Sequence, residues 1–214
     1  MSQGELPAYQ RRSRESRRKI VAAFDAALKE KPFDQVSVAE IAERAGVAVG
    51  TVYQRFKNKD ALIPVTLEIY KDRMEQWLVK DGRIEISEST DLHTALRIVM
   101  RQSWAMMERE AHLLRAVHLY ARLKPEIAGG DEWRKFEEAS LLGLKTLIKH
   151  YAADIKRKNI NRAIGFATYY FNAIMIEKGL YPDETPGSFY KLSGKAFAED
   201  CADMLYGYLT LDDL

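Results

Sequence analysis

Apolar residues recur along this chain at helical spacing. Ile20, Val21, Phe24, Ala27 and Leu28 fall at i, i+1, i+4, i+7 and i+8, one stripe of a helix expected to begin near Ser13. That helix has to stop by Lys31, because the residue before Pro32 is pushed out of helical angles. Ser37 and Glu40 then form a capping box, hydroxyl and carboxylate each satisfying a free backbone N–H. They open a short second helix with Val38, Ile41, Ala42 and Ala45 on its inner face. Gly46 supplies a positive φ for a sharp turn, and a third short helix carries Val49, Val52, Tyr53 and Phe56. Asn58 can cap a fourth helix running to about Leu78 through Leu62, Leu67, Tyr70, Met74 and Trp77. Beyond the mixed-charge linker "VKDGRIEISES" (79–89) the pattern stays helical, over about 91–109, 111–122, 131–153, 157–178 and 187–209. The breaks fall at Pro125, "AGG" (128–130), "KRKN" (156–159) and "YPDETPG" (181–187). No β-alternating run of useful length interrupts this, so the expected fold is all-α with about nine helices.

Two short helices joined at a glycine turn are the sequence form of a helix-turn-helix. Its first helix braces, and its second lies in a major groove and offers its N-terminal residues to base edges. Ala42 is small where the two helices cross, while Val47, Val52 and Phe56 close a minute core. The outward positions of the second helix are Val49, Gly50, Thr51, Tyr53, Gln54 and Arg55. Gly50 has no side chain to hold the backbone away from DNA. Thr51 and Tyr53 offer hydroxyls to phosphate oxygens, and Gln54 suits adenine or a phosphate. Lys59 adds charge where backbone N–H groups already favour an anion.

Charge sharpens this picture. The net charge is only +2, but residues 1–64 hold 12 Lys/Arg against 8 Asp/Glu, whereas the remaining 150 hold 21 against 23. "QRRSRESRRK" (10–19) alone carries six basic groups and one acid. A basic arm directly before a DNA-binding helix suits phosphates or an adjacent minor groove, although such runs are commonly just solvated. Residues 1–12, with Gly4 and Pro7, are expected to be disordered.

Residues 37–62, "SVAEIAERAGVAVGTVYQRFKNKDAL", resemble the DNA-binding signature of the tetracycline-repressor (TetR) family of one-component regulators. The likeness spans about residues 15–65 and includes the spacing from Phe24 to Phe56. It implies a helix-turn-helix domain over 13–60 and a helical ligand-binding and dimerisation domain over 61–214. It also implies that Ser37, Thr51, Tyr53 and Lys59 hold phosphates, and that Arg44, Val49, Gly50 and Gln54 sit nearest the bases. Ala48 and Val49 depart from the pattern, standing where a hydroxyl cap and a polar or basic residue are common. Ala48 caps poorly, and Val49 suits a thymine methyl. Pro64 lies about a turn inside the expected fourth helix, where it either bends the helix or is simply tolerated.

The remainder carries no glycine-rich phosphate loop, CxxC or GxSxG motif, and no enzyme is expected. None of the four histidines sits in an ExxH pair; Glu108 and His112 could share a metal, but a plain surface pair is the simpler reading. No metal or other cofactor is expected. Large adaptable side chains abound there, usually just as core. The resemblance implies an apolar effector pocket among the middle helices, with Trp104, His118, Phe136 and Tyr170 as candidate lining. The last two helices show surplus apolar residues, including Ile160, Ile164, Phe166, Tyr169, Met204 and Tyr208, the mark of a partner surface. The family implies a homodimer through those helices. Only Cys201 is present, with no signal peptide and no apolar run long enough to span a bilayer, so a reducing, cytoplasmic setting is expected. The resulting expectation is a dimeric repressor that binds a near-palindromic operator in double-stranded DNA and is released by a small apolar or aromatic effector. The alternatives are an activator with the same head, or a helical small-molecule-binding or catalytic protein without specific DNA binding.

Overall fold

The computed structural model describes residues 8–80, 87, 89–126, 130–184, 187–191 and 194–212. Its α-helices are α1 (Ala8–Glu30), α2 (Val38–Ala45), α3 (Val49–Arg55), α4 (Ile63–Lys80), α5 (Leu92–Leu123), α6 (Asp131–Ser140), α7 (Leu142–His150), α8 (Ile160–Leu180) and α9 (Gly194–Thr210). Short 3₁₀ turns sit at Phe33–Gln35, Lys59–Leu62, Ala152–Asp154 and Gly187–Phe189. There is no strand among the described residues, as the helical spacing requires.

The chain forms two compact units. The first is Met1–Lys71 with His112–Gly130, and the second is Asp72–Ala111 with Asp131–Leu214. His112–Gly130, expected with the body, therefore belongs to the unit that carries the helix-turn-helix.

In the first unit Ile20, Phe24, Ala27 and Leu28 of α1 are buried with Ile41, Ala42 and Ala45 of α2, Val52 of α3, and Leu113 and Val117 of α5. Phe33 links the layers, its ring 6.0 Å from Phe24 and 5.2 Å from Tyr120, both edge-on. Asp25 of α1 is buried and meets His112 Nε2 of α5 at 2.9 Å. His112 is thus tied to α1, not to Glu108.

In the second unit α5, α7, α8 and α9 enclose one apolar cluster, including Leu96, Met100, Trp104, Ile148, Ala167, Met175, Ala202 and Leu205. A Cβ on Gly179 would stand 2.3 Å from Met107 Cγ, so a larger residue there would force the Met107 side chain to move. The buried Lys178 Nζ donates to the carbonyls of Gly187 (2.7 Å) and Tyr190 (2.5 Å), fastening the turn before α9 to α8.

Several boundaries differ from the sequence reading. Helix α1 starts at Ala8, so residues 8–12 of the arm expected to be disordered are helical. The two helices expected over 91–109 and 111–122 are one, α5, because nothing between them breaks the backbone ladder. The single helix expected over 131–153 is divided near Leu141 and ends in a 3₁₀ turn. Asn58 caps the 3₁₀ turn, accepting from Ala61 N, and α4 itself starts at Ile63. Pro64 therefore occupies the first turn of α4, where its missing N–H would have lacked a helical partner anyway. Most of the expected linker over 79–89 lies outside the described residues.

Candidate nucleic-acid interface

The turn between α2 and α3 is fixed by the backbone. Gly46 has φ 63° and ψ 39°, the left-handed conformation a glycine adopts without a Cβ penalty. Val47 N donates to Ala42 O at 3.0 Å and Gly46 N to Glu43 O at 3.0 Å, closing the last turn of α2. At the other end of α2, Ser37 Oγ accepts from Glu40 N at 3.1 Å. Ala48 is the N-cap of α3 and makes no side-chain cap bond, as its methyl group dictates.

These constraints leave one side of α3 open. Val49 is 43% exposed and Tyr53 is 52% exposed. Gly50 and Gln54 are also exposed, and Thr51 is half-buried. A Cβ on Gly50 would meet nothing within 4 Å, so glycine there is not demanded by packing. Val52 and Phe56, on the opposite side, are buried. Val49, Gly50, Tyr53 and Gln54 thus share an accessible face, flanked by Thr51.

Two of the candidate cations are already engaged. Arg44 donates to both carboxylate oxygens of Glu30, at 2.7 and 2.5 Å, and lies 2.9 Å from Glu40. The Glu30 hydrogen bonds raise the Arg44 pKa further above its ordinary value, and Arg44 holds the Glu30 carboxyl below its own. Lys59 Nζ donates to Asp34 O at 2.8 Å and sits 4.7 Å above the Phe33 ring. Desolvation there pushes its pKa down, against the pull of Asp34 and Asp60. Lys59 is therefore a clasp between two turns as well as a surface charge, with further N–H donors to spare. Sequence spacing gave no sign of either partner. It also passed over Arg55 as a site residue, whose buried Nε has no hydrogen-bond partner among the described residues.

The candidate effector residues divide between the units. Trp104, Phe136 and Tyr170 belong to the second, His118 to the first. Trp104 is 4% exposed, its ring 4.7 Å from Phe197, and its indole N–H has no acceptor among the described residues. Tyr170 packs on the same cluster, and burial, with Cys201 and Asp200 adding, pushes its phenol up to about 12. Cys201 is itself buried, and desolvation raises its thiol to about 12, so it stays protonated and unreactive at neutral pH. Phe136 is buried on α6. His118 is buried in the first unit, where desolvation, with Arg122 adding, lowers it to about 4. Among the described residues no cluster of His, Cys, Asp and Glu is arranged to hold a metal, and no helix is long and apolar enough to cross a membrane.

Fold and geometry together define a class: a helix-turn-helix head on a chain whose described remainder is mostly helical. The sequence model of the bacterial regulatory proteins, tetR family, matches residues 20–64. Over those residues the chain is similar to the head of that family. It is 33% identical over 97 residues to an uncharacterized HTH-type transcriptional regulator, YvdT, of Bacillus subtilis, covering 45% of this chain and 47% of the relative. It is 28% identical over 112 residues to the fatty acid metabolism regulator protein of the same species, covering 51% and 56%. The chain thus spans about half the length of the curated relatives it matches. In fold it is similar to the crystal structure of the transcriptional regulator FadR from Bacillus subtilis in complex with stearoyl-CoA. That likeness has a TM-score of 0.62 at 21% identity, covering 89% of this chain and 97% of the other.

Proposed function

We propose that this protein is a homodimeric, cytoplasmic, ligand-responsive transcriptional regulator without enzymatic activity, acting as a repressor. The open face of α3 carries the reading. Val49, Gly50, Tyr53 and Gln54 are exposed on a helix braced by α2, and neither the Tyr53 nor the Gln54 side chain has a hydrogen-bonding or ion-pairing partner among the described residues. Val49 meets a thymine methyl, Gly50 lets the backbone approach, and Gln54 takes a base edge. Ser37, Thr51, Tyr53 and Lys59 hold phosphates. Arg44 reaches a base only by exchanging Glu30 for DNA, so its contribution is the difference between two ion pairs and is small.

One such head binds weakly. Two heads linked in a dimer gain effective concentration and read a near-palindrome with recognition helices ~34–36 Å apart, or a multiple of that distance. The exposed row Arg162, Phe166, Tyr169 and Ala173 on α8, with Met204 on α9 and Leu211 just after it, supports dimerisation through these helices. Phe166 and Tyr208 join the two helices at 4.6 Å, and Gly165 and Gly207 are open enough for close helix approach.

The effector in this reading is small and largely apolar, bound in the second unit around Trp104 and Tyr170. A buried donor without an acceptor costs about 1–3 kcal/mol, and an effector carbonyl or similar acceptor at Trp104 Nε1 removes that cost. The acyl ligand in the solved FadR and the name of the fatty acid metabolism regulator support an apolar effector. The effector favours a state with poor DNA affinity, by no more than its differential affinity for the two states.

Selection of fragments from the source genome by the purified, ligand-free protein tests the reading. A protected inverted repeat at near-physiological salt is the expected result, with affinity in the ~10⁻⁸–10⁻¹¹ M range. Diffuse, salt-sensitive binding without a protected site, together with tight small-molecule binding or turnover, would overturn it.

A further inference from the structure

We infer that the first turns of α1 form a second DNA-contacting surface, in which Arg11, Arg14 and Arg18 line up along the phosphates flanking the site read by α3. This inference rests on the DNA-binding reading above. It concerns residues that precede the tetR-family match, which starts at Ile20.

Four observations lead there. First, α1 is continuous from Ala8 to Glu30, so these arginines stand on a helix with fixed relative positions. At i, i+3 and i+7 they share one side of it. Second, Arg11, Arg14 and Arg18 are all exposed, and none has an ion-pair partner among the described residues. Of the other charges nearby, Lys19 lies 3.5 Å from Glu15 and Arg17 lies 2.7 Å from Glu68, while Arg12 is exposed beside them without an ion pair among the described residues. Third, like charges at these spacings repel, and α1 has no acidic residue in its first turn to offset them. Glu15, at i+4 from Arg11 and i−3 from Arg18, offsets part of that repulsion, and a row of anions along that side relieves the rest. Fourth, Arg17 turns away from the stripe. Its guanidinium stacks 5.9 Å from the Phe56 ring at the end of α3 and donates to Glu68 of α4. Arg17 thereby fixes this stretch of α1 beside the recognition helix, with Ser13 and Ser16 half-buried along the inner line.

The helical state decides which part of the duplex is met. From Arg17 back to Ala8 the helix rises ~14 Å at 1.5 Å per residue, and with side chains it is ~10–12 Å wide. The minor groove of B-DNA is ~6 Å wide, so the rod cannot enter it as an extended arm does. It lies instead against the sugar–phosphate backbone. Such contacts carry no base information; they lengthen the footprint and steepen the salt dependence.

The test compares the full-length protein with its R11Q/R14Q/R18Q variant on the selected operator, over a series of salt concentrations. The expected result is a log–log salt slope shallower by about 3 per bound protomer. The variant should also bind about tenfold or more weakly at 150 mM salt, keep the wild-type order of preference among operator sequences, and match or exceed the wild-type Tm without DNA. The R11K/R14K/R18K variant, which retains the charge, keeps the wild-type slope. An unchanged slope and affinity in the glutamine variant, alongside specific wild-type binding, would overturn this inference alone and leave the arginines as a solvated face. A wild-type protein that selects no operator would instead overturn the DNA-binding reading itself.

Discussion

Helices α3 and α8 both present apolar or aromatic groups to solvent, yet they differ in what surrounds those groups. On α3, Val49 and Tyr53 are 43% and 52% exposed amid a glycine, an amide and a hydroxyl, with α1's arginines elsewhere in the same unit. On α8, Phe166 and Tyr169 are 48% and 72% exposed beside Gly165 and Ala173, a small and apolar setting. Exposure alone therefore does not name a partner. Donors and cations around an apolar group suit a polyanion with methyl groups on its base edges, and small residues around aromatics suit another helix.

Introducing charge on α8 and α9 breaks the comparison most strongly. Tyr169→Glu with Met204→Glu puts like charges into the proposed dimer contact, a cost of several kcal/mol. The dissociation constant should rise by about 100-fold or more, read by light scattering, while helix content is unchanged. Operator affinity should fall with it, because each head then binds alone. A variant that stays dimeric would move the interface off these two helices.

A smaller, more selective effect is expected on α3. Tyr53→Ala and Gln54→Ala should each weaken operator binding by about 10-fold, since one good base or phosphate contact is worth roughly 1–3 kcal/mol. Gly50→Ala sharpens the contrast further. Its new methyl group meets nothing in the free chain, and alanine favours a helix over glycine by about 0.5–1 kcal/mol. The thermal midpoint should hold or rise slightly while DNA affinity drops. An unchanged affinity would show that the backbone at Gly50 does not approach DNA.

Acid should weaken the first unit without touching either surface. His118 sits at about 4 when folded, below the ordinary histidine value of about 6.5 in the unfolded chain. The unfolded state therefore binds the proton more readily. Stability attributed to neutral His118 is complete above about pH 6.5 and is lost as pH falls towards 4. Replacing it with Phe should flatten the stability profile across that window, measured by denaturant titration at stepped pH. A wild-type profile already flat between pH 7 and 4 would contradict this.

Little of the second unit could be anticipated at the level of contacts. The helical period predicted that helices would be there, but one long α5 in place of two followed from the absence of a breaker, which no apolar stripe reveals. Trp104 and Tyr170 pack on one core cluster, whereas His118 lies in the other unit. Aromatic and methionine residues at helical spacing look alike whether they line a pocket or fill a core, so spacing could not sort them.

The sequence by itself determined the helix-turn-helix. Capping by Ser37, the left-handed Gly46, the burial of Ile41, Ala42, Val52 and Phe56, and the missing cap at Ala48 are all settled within a few residues of chain. Local hydrogen bonds and period-3.6 burial need no knowledge of the rest of the fold. Only the tertiary structure decided which charges are available. Arg44 is matched to Glu30 across 14 residues, Lys59 to Asp34 across 25, and His112 to Asp25 across 87. Arg11, Arg14 and Arg18 are left unmatched among the described residues. Pairing of this kind depends on which helix faces meet, and that is set by packing across the unit, not by the order of residues along the chain.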